Sequence, residues 1–184
     1  MKRYRQVGLI CLALAMVCLG GSGGGAAASG EPALRLGPVE VQGSAVDRLE
    51  VGLGAFEPFD DDPDAAATVE YRFGRKLWVV GPALGLLANV EGGLYGYFGL
   101  YLEAGIGSVR VIPMLAVGGY HEGSGEDLGG VLQFRESLAI AWQLANGHQL
   151  GLKIGHISNG DIYEANPGAE DLFLTYALPL GPVF

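Results

Sequence analysis

The chain has 184 residues, a length that suits one domain, and 49% of them are hydrophobic while only 17% are charged. That is too apolar for a disordered chain, and 20 acidic against 11 basic residues argue against nucleic-acid binding. The 32 glycines recur at a density no stable helix would carry.

The amino terminus reads as a secretory signal. Lys2, Arg3 and Arg5 form a basic start, Val7 to Leu19 an apolar stretch, and Ala26-Ala27-Ala28 a cleavage site before Ser29. Residues 1–28 are therefore expected to be a signal peptide. The apolar stretch is short for a transmembrane anchor, and a lipoprotein signal at Cys18 has Val17 where a small residue belongs. Cys11 and Cys18 both lie in this segment, so the mature chain has no disulfide or thiol chemistry. Its removal leaves eight basic residues against 20 acidic ones, a net charge of −12.

Residues 29–45 show no clear period and are expected to form a short periplasmic tail. From residue 46 to 184 the chain reads as eight alternating segments separated by turn residues, the pattern of half-buried strands. Leu49, Val51, Leu53 and Ala55 mark the first, and Val69, Tyr71 and Phe73 the second. Pro82, Leu84, Leu86, Ala88 and Val90 mark the third; Leu94, Phe98, Leu100 and Leu102 the fourth. The fifth, Arg110 to Tyr120, alternates weakly. The sixth sets Leu132, Phe134, Leu138, Ile140, Trp142 and Leu144 against Gln133, Arg135, Ser137 and Gln143. Glu136 breaks its apolar phase, and a bulge or local pairing is expected to accommodate it. The seventh runs from Gln149 to Ser158 and the eighth from Asp171 to Leu180.

Opposite the apolar face stand glycines and charges of both signs: Arg48, Glu50, Glu70, Arg72, Glu103, Arg135 and Lys153. With a secretory signal, that pattern predicts an eight-stranded antiparallel transmembrane β-barrel of the outer membrane, apolar outside and polar within. A soluble lipocalin-like barrel is the alternative, because its alternation looks the same. Eight strands leave an interior filled by side chains, so no pore is implied. Trp78, Tyr95, Tyr120 and Trp142 are candidates for interfacial girdles, and Phe184 for a closing carboxyl-terminal aromatic. With both termini periplasmic, the loops 57–65, 91–93, 122–129 and 160–169 face outward. The acidic run Asp60 to Asp64 reads as a solvated loop, with cation bridging to lipid phosphates as the alternative. No His/Cys cluster has metal-ligand spacing, so neither metal nor cofactor is expected.

The chemistry concentrates in the last hairpin. His156 and Ser158 are two apart, so on a strand they share one face with Leu150, Leu152 and Ile154. Glu170 lies in phase with Leu172, Leu174 and Tyr176 of the next strand, so the three side chains can meet. A serine hydroxyl needs a neighbour to take its proton, histidine suits that task, and a carboxylate can orient the imidazole. Ser158 is thus the candidate nucleophile, His156 the base and Glu170 the orienting acid. The backbone N–H groups around Asn159 and Gly160, with the Asn159 side chain as a further donor, are the candidate oxyanion hole. Asn166 and Gly168 are expected to shape the intervening loop.

The run His156-x-Ser158-Asn159-Gly160, then Asn166-Pro167-Gly168, then Glu170 and a closing strand, resembles the lipid A 3-O-deacylase (PagL) family. The likeness is sharpest over residues 149–180. It implies an outer-membrane esterase of a Gram-negative bacterium, with a Ser/His/Glu triad on the lipid-facing side, hydrolysing the 3-O-acyl ester of lipid A. Lipopolysaccharide would be the substrate, outer-membrane lipid the surroundings, and monomer and homodimer are both open. Gly160 stands where that family's alanine is expected, and Ile157 replaces a frequent aromatic. A non-enzymatic adhesin or structural barrel, and an acyl-transferring barrel, are the competing readings.

Overall fold

The computed structural model describes residues 32–180. The proposed signal segment 1–28 and the terminal Phe184 lie outside the described residues. Among the described residues every regular element is a β-strand, and eight of them close into a barrel. In chain order they are β3 (Asp47–Phe56), β4 (Asp64–Arg72), β5 (Gly81–Asn89), β6 (Leu94–Tyr101), β8 (Val109–His121), β9 (Leu132–Gln143), β10 (Gln149–Ser158) and β11 (Ala169–Leu180). Each pairs antiparallel with its barrel neighbour, and β11 returns to pair with β3. No barrel strand is left with an open edge, as a bilayer requires.

The alternation resolves as expected. Leu53, Leu84, Phe98, Ile140, Leu152 and Leu174 are exposed on the outside, while Arg72, Arg135, Glu50, Glu70 and Lys153 are sealed within. The weak alternation of β8 has a simple cause. Ile112, Met114 and Ala116 fill the interior while Val111, Leu115 and Val117 face outward, so both faces are apolar.

The interior charges are mutually paired. Arg72 donates to Glu50 at 3.0 Å, Lys153 bridges Glu50 and Glu70, and Tyr97 Oη donates to Glu70 at 2.8 Å. Further along, Arg135 grips Asp171 with two parallel bonds of 3.0 and 2.6 Å. Such forked pairs are strong when desolvated.

Two expectations change. In the stretch expected to be a tail, the described residues from 32 onward form a hairpin of β1 (Pro32–Leu36) and β2 (Val39–Gln42). That hairpin joins β7 (Ala104–Ile106), which pairs with the first residues of β8. Its period was hidden because strands this short show too few alternations. Tyr95 and Tyr120 are buried in the interior, not girdle residues, because each lies out of phase with the outward-facing residues of its strand. Trp78 and Trp142 are exposed. Of the two accommodations expected for Glu136, the bulge is absent: β9 runs through it with continuous register on both sides.

Because both partners are almost fully buried, removing one leaves an uncompensated charge. Arg135→Ala is expected to cost about 3–5 kcal/mol, read as a lowered midpoint in urea unfolding of the refolded barrel. A midpoint equal to that of the parent chain would refute the assigned role of this pair.

Candidate functional site

The site is built on the β10–β11 hairpin, whose strands keep unbroken register from Gln149↔Ala177 to Ile157↔Ala169. That register sets His156 directly opposite Glu170. Their side chains meet on the outer face, with His156 Nδ1 3.1 Å from Glu170 Oε1. Engaging Nδ1 leaves Nε2 as the nitrogen available to a nucleophile, the tautomer logic of a hydrolytic triad.

Ser158 follows two residues on, in the same outward phase. Its hydroxyl is not hydrogen-bonded to the ring in this state. A serine reorients by one χ1 rotation, and such contacts commonly tighten only when substrate is present.

The loop that follows is tied down by Asn159, which is fully buried. Its Nδ2 donates to the carbonyls of Leu128 (2.9 Å) and Ala165 (2.7 Å), and its N–H donates to Asn166 Oδ1 at 3.0 Å. Asn166 Nδ2 in turn donates to Asp161 at 2.9 Å. Both expected oxyanion donors of Asn159 are therefore engaged within the loop, whereas the Gly160 N–H takes no partner among the described residues. Gly160 and Gly168 have φ of +62° and +72°, which glycine adopts without steric penalty. Gly168 also approaches the imidazole closely. A Cβ there would lie 2.9 Å from His156 Cε1.

Beside the His156–Glu170 pair lies a cavity of about 290 Å³, lined by Phe59, Leu138 and Ile154 together with Glu136, His156 and Glu170. Ile154 precedes His156 on the strand that ends at the loop, so the cavity extends from the pair toward the barrel's middle. Phe59 comes from the loop between β3 and β4. Glu136 stands opposite His156 on β9, so the imidazole is flanked by a carboxylate-bearing residue on each neighbouring strand. The sequence signal for Glu136 was its violation of the apolar phase of its strand; Phe59 left no signal. Among the described residues, no group of three or more His, Cys, Asp or Glu side chains could hold a metal ion.

A family model described as lipid A 3-O-deacylase (PagL) matches residues 51–179. The chain is 31% identical over 80 residues to the lipid A deacylase PagL of Pseudomonas aeruginosa, covering 44% of this chain and 42% of that one. It is 32% identical over 76 residues to the lipid A deacylase PagL of Bordetella bronchiseptica, covering 41% and 39%. The matched stretch thus spans about two-fifths of these curated relatives. The crystal structure of the outer membrane enzyme PagL superposes with a TM-score of 0.57 at 18% identity, over 72% of this chain and 99% of that one. A structure from the de novo design of transmembrane β-barrels superposes equally well, with a TM-score of 0.57 at 8% identity, over 76% and 99%. A designed barrel fits as well as an enzyme does, so the superposition speaks for the fold and the side chains must speak for the chemistry.

Gly168→Ala would force a Cβ against the imidazole from a backbone that disfavours it. Displacing a reacting group by about 1 Å can cost ~100-fold in rate, so a 10- to 100-fold fall in ester turnover by folded protein is expected. The same variant should move the His156 ring ¹⁵N resonances in detergent micelles. Unchanged resonances and turnover would show that this close approach does not matter.

Proposed function

The chain belongs to the lipid A 3-O-deacylase (PagL) family, and from that premise we propose that it is an outer-membrane esterase hydrolysing the 3-O-acyl ester of lipid A. The observation that carries the reading is the His156–Glu170 hydrogen bond, at 3.1 Å, on the outer face with Ser158 in phase. A histidine and a carboxylate on the apolar side of a barrel have no packing purpose there, and they cost free energy that a structural barrel would have no reason to spend.

In the proposed mechanism Ser158 Oγ attacks the acyl carbonyl and passes its proton to His156 Nε2. The oxyanion of the tetrahedral intermediate takes the Gly160 N–H. Collapse breaks the bond to the sugar oxygen, which receives the proton from His156, and the acyl group remains on Ser158. Water then attacks the acyl-enzyme with His156 again as base, releasing the fatty acid and restoring the serine hydroxyl. Glu170 orients the ring and stabilises the imidazolium in both halves. Asn166 and Gly168 hold the loop in place around these groups.

Depth supports the same substrate. A charged side chain on a barrel's lipid face costs ~2–4 kcal/mol at the midplane for Arg or Lys, but only ~0–1 near the interface, with acids costing less. His156 and Glu170 lie within two residues of the loop ends of β10 and β11, so they belong at the rim, where the sugar-proximal esters of lipid A lie. The apolar cavity running from them toward the barrel's middle suits an acyl chain. In this reading residues 1–28 are the secretory signal, and loop 159–168 faces the outer leaflet.

Mass spectrometry of lipopolysaccharide from cells expressing the chain is expected to show loss of one acyl group. Ser158→Ala and His156→Ala should each abolish that loss while leaving a folded, heat-modifiable barrel. Glu170→Ala should be slowed less than either, because the serine, the base and the oxyanion donor remain. Near-normal turnover by folded Ser158→Ala would overturn the mechanism. Gain of an acyl group would point to transfer, and an unchanged profile to a structural barrel.

A further inference from the structure

Glu57, the first residue after β3, is bound to Glu170 in both directions. Its N–H donates to the Glu170 carbonyl at 2.8 Å, and its Oε1 accepts the Glu170 N–H at 3.0 Å. In a regular antiparallel ladder the second bond would go to the Glu57 carbonyl. Here that carbonyl instead accepts the Asp60 N–H at 3.1 Å. The side chain has taken the place of its own backbone.

The substitution has a conformational cause and a cost. Glu57 has φ of +54°, a left-handed conformation that costs a non-glycine residue free energy. Strained residues of this kind cluster where the surrounding structure needs them. Glycine would relieve the strain, but it could not supply the acceptor. The bond lies one rung beyond the last regular pair with β3, Phe56↔Asp171, where β11 is otherwise held by β10 alone. On the far side of β11 the same residue, Glu170, holds His156.

We propose that Glu57 is a positioning residue, whose carboxyl group fixes the backbone of Glu170 and through it the imidazole of His156. The proposal rests on the esterase reading above. Glu57 touches no reacting group; it acts by stopping the strand end from shifting. The loop it begins also delivers Phe59 to the cavity wall, so one anchor serves both the carboxylate of the triad and the pocket beside it.

The protonation chemistry is compatible with this role. Burial pushes the Glu57 carboxyl up to about 7, with Asp60 and Glu170 adding to the rise and the Glu170 N–H bond partly opposing it. The group is thus partly neutral at neutral pH, and a neutral carboxyl still accepts through its carbonyl oxygen. Glutamine keeps that acceptor without the charge.

The test uses the full-length protein in detergent micelles, with folding checked by heat-modifiable migration. Two readings are taken: the rate at which a fluorophosphonate labels Ser158, and kcat and KM for lipid A. Glu57→Gly suits the backbone and removes only the carboxyl group; Glu57→Ala removes it at the cost of strain. Both are expected to lower the labelling rate and kcat on the order of tenfold, with KM within about twofold, while Glu57→Gln retains most of the parent rate. Parent-like labelling by Glu57→Gly, or Glu57→Gln as slow as Glu57→Gly, overturns the proposal. A parent chain that takes no label at Ser158 overturns the esterase reading beneath it, which is a separate and recognisable result.

Discussion

Arg72, Glu50, Glu70 and Lys153 pair with one another inside a tube whose outer wall is leucine, isoleucine and valine. Everything else depends on that inversion. A desolvated charge costs several kcal/mol unless its partners are well placed. The ladder from β11 to β3 closes the tube and so brings Lys153 of β10 to Glu50 of β3, across the seam. Closure and charge pairing are thus one constraint seen from two sides: the hydrogen-bonded ring positions the charges, and the charges fill the ring.

With stability assigned to the inner face, the outer face is free. Strand alternation separates the two sets of side chains, so His156 and Ser158 sit on the strand that carries Lys153 and Gly155 without entering their packing. What the outer face cannot do is carry charge at any depth, and that limits a hydrolytic site to the strand ends. The pair also sits on strands, with the loop between them pinned by Asn159 to the Leu128 carbonyl. A site supported in this way holds its geometry better than one borne on a loop.

Glu136 and Glu57 show how the register around this site extends beyond the three expected groups. One faces His156 from β9, and the other holds Glu170 from the end of β3. Strands β9, β10 and β11, with the residue that follows β3, therefore line up along one row. That row is the structural unit of the site, and its order in space is 9-10-11-3, which chain order does not display.

The alternation of apolar and polar residues, read along the chain, was enough to locate all eight barrel strands and to say which face is outward, because strand periodicity is local and a bilayer leaves only one way to use it. The phase of His156, Ser158 and Glu170 was legible for the same reason. The β1–β2 hairpin was not, since four or five residues offer too little period, and Tyr95 and Tyr120 were misplaced by attending to residue type over phase. Only the tertiary structure decided that Glu136 lies opposite His156, that Asn159 spends its donors inside the loop, and that Glu57, 113 residues from Glu170 in the chain, substitutes its carboxyl group for a backbone carbonyl. These are matters of register between strands and of closure across the seam. Both arise from pairings between distant parts of the chain, and no local pattern encodes them.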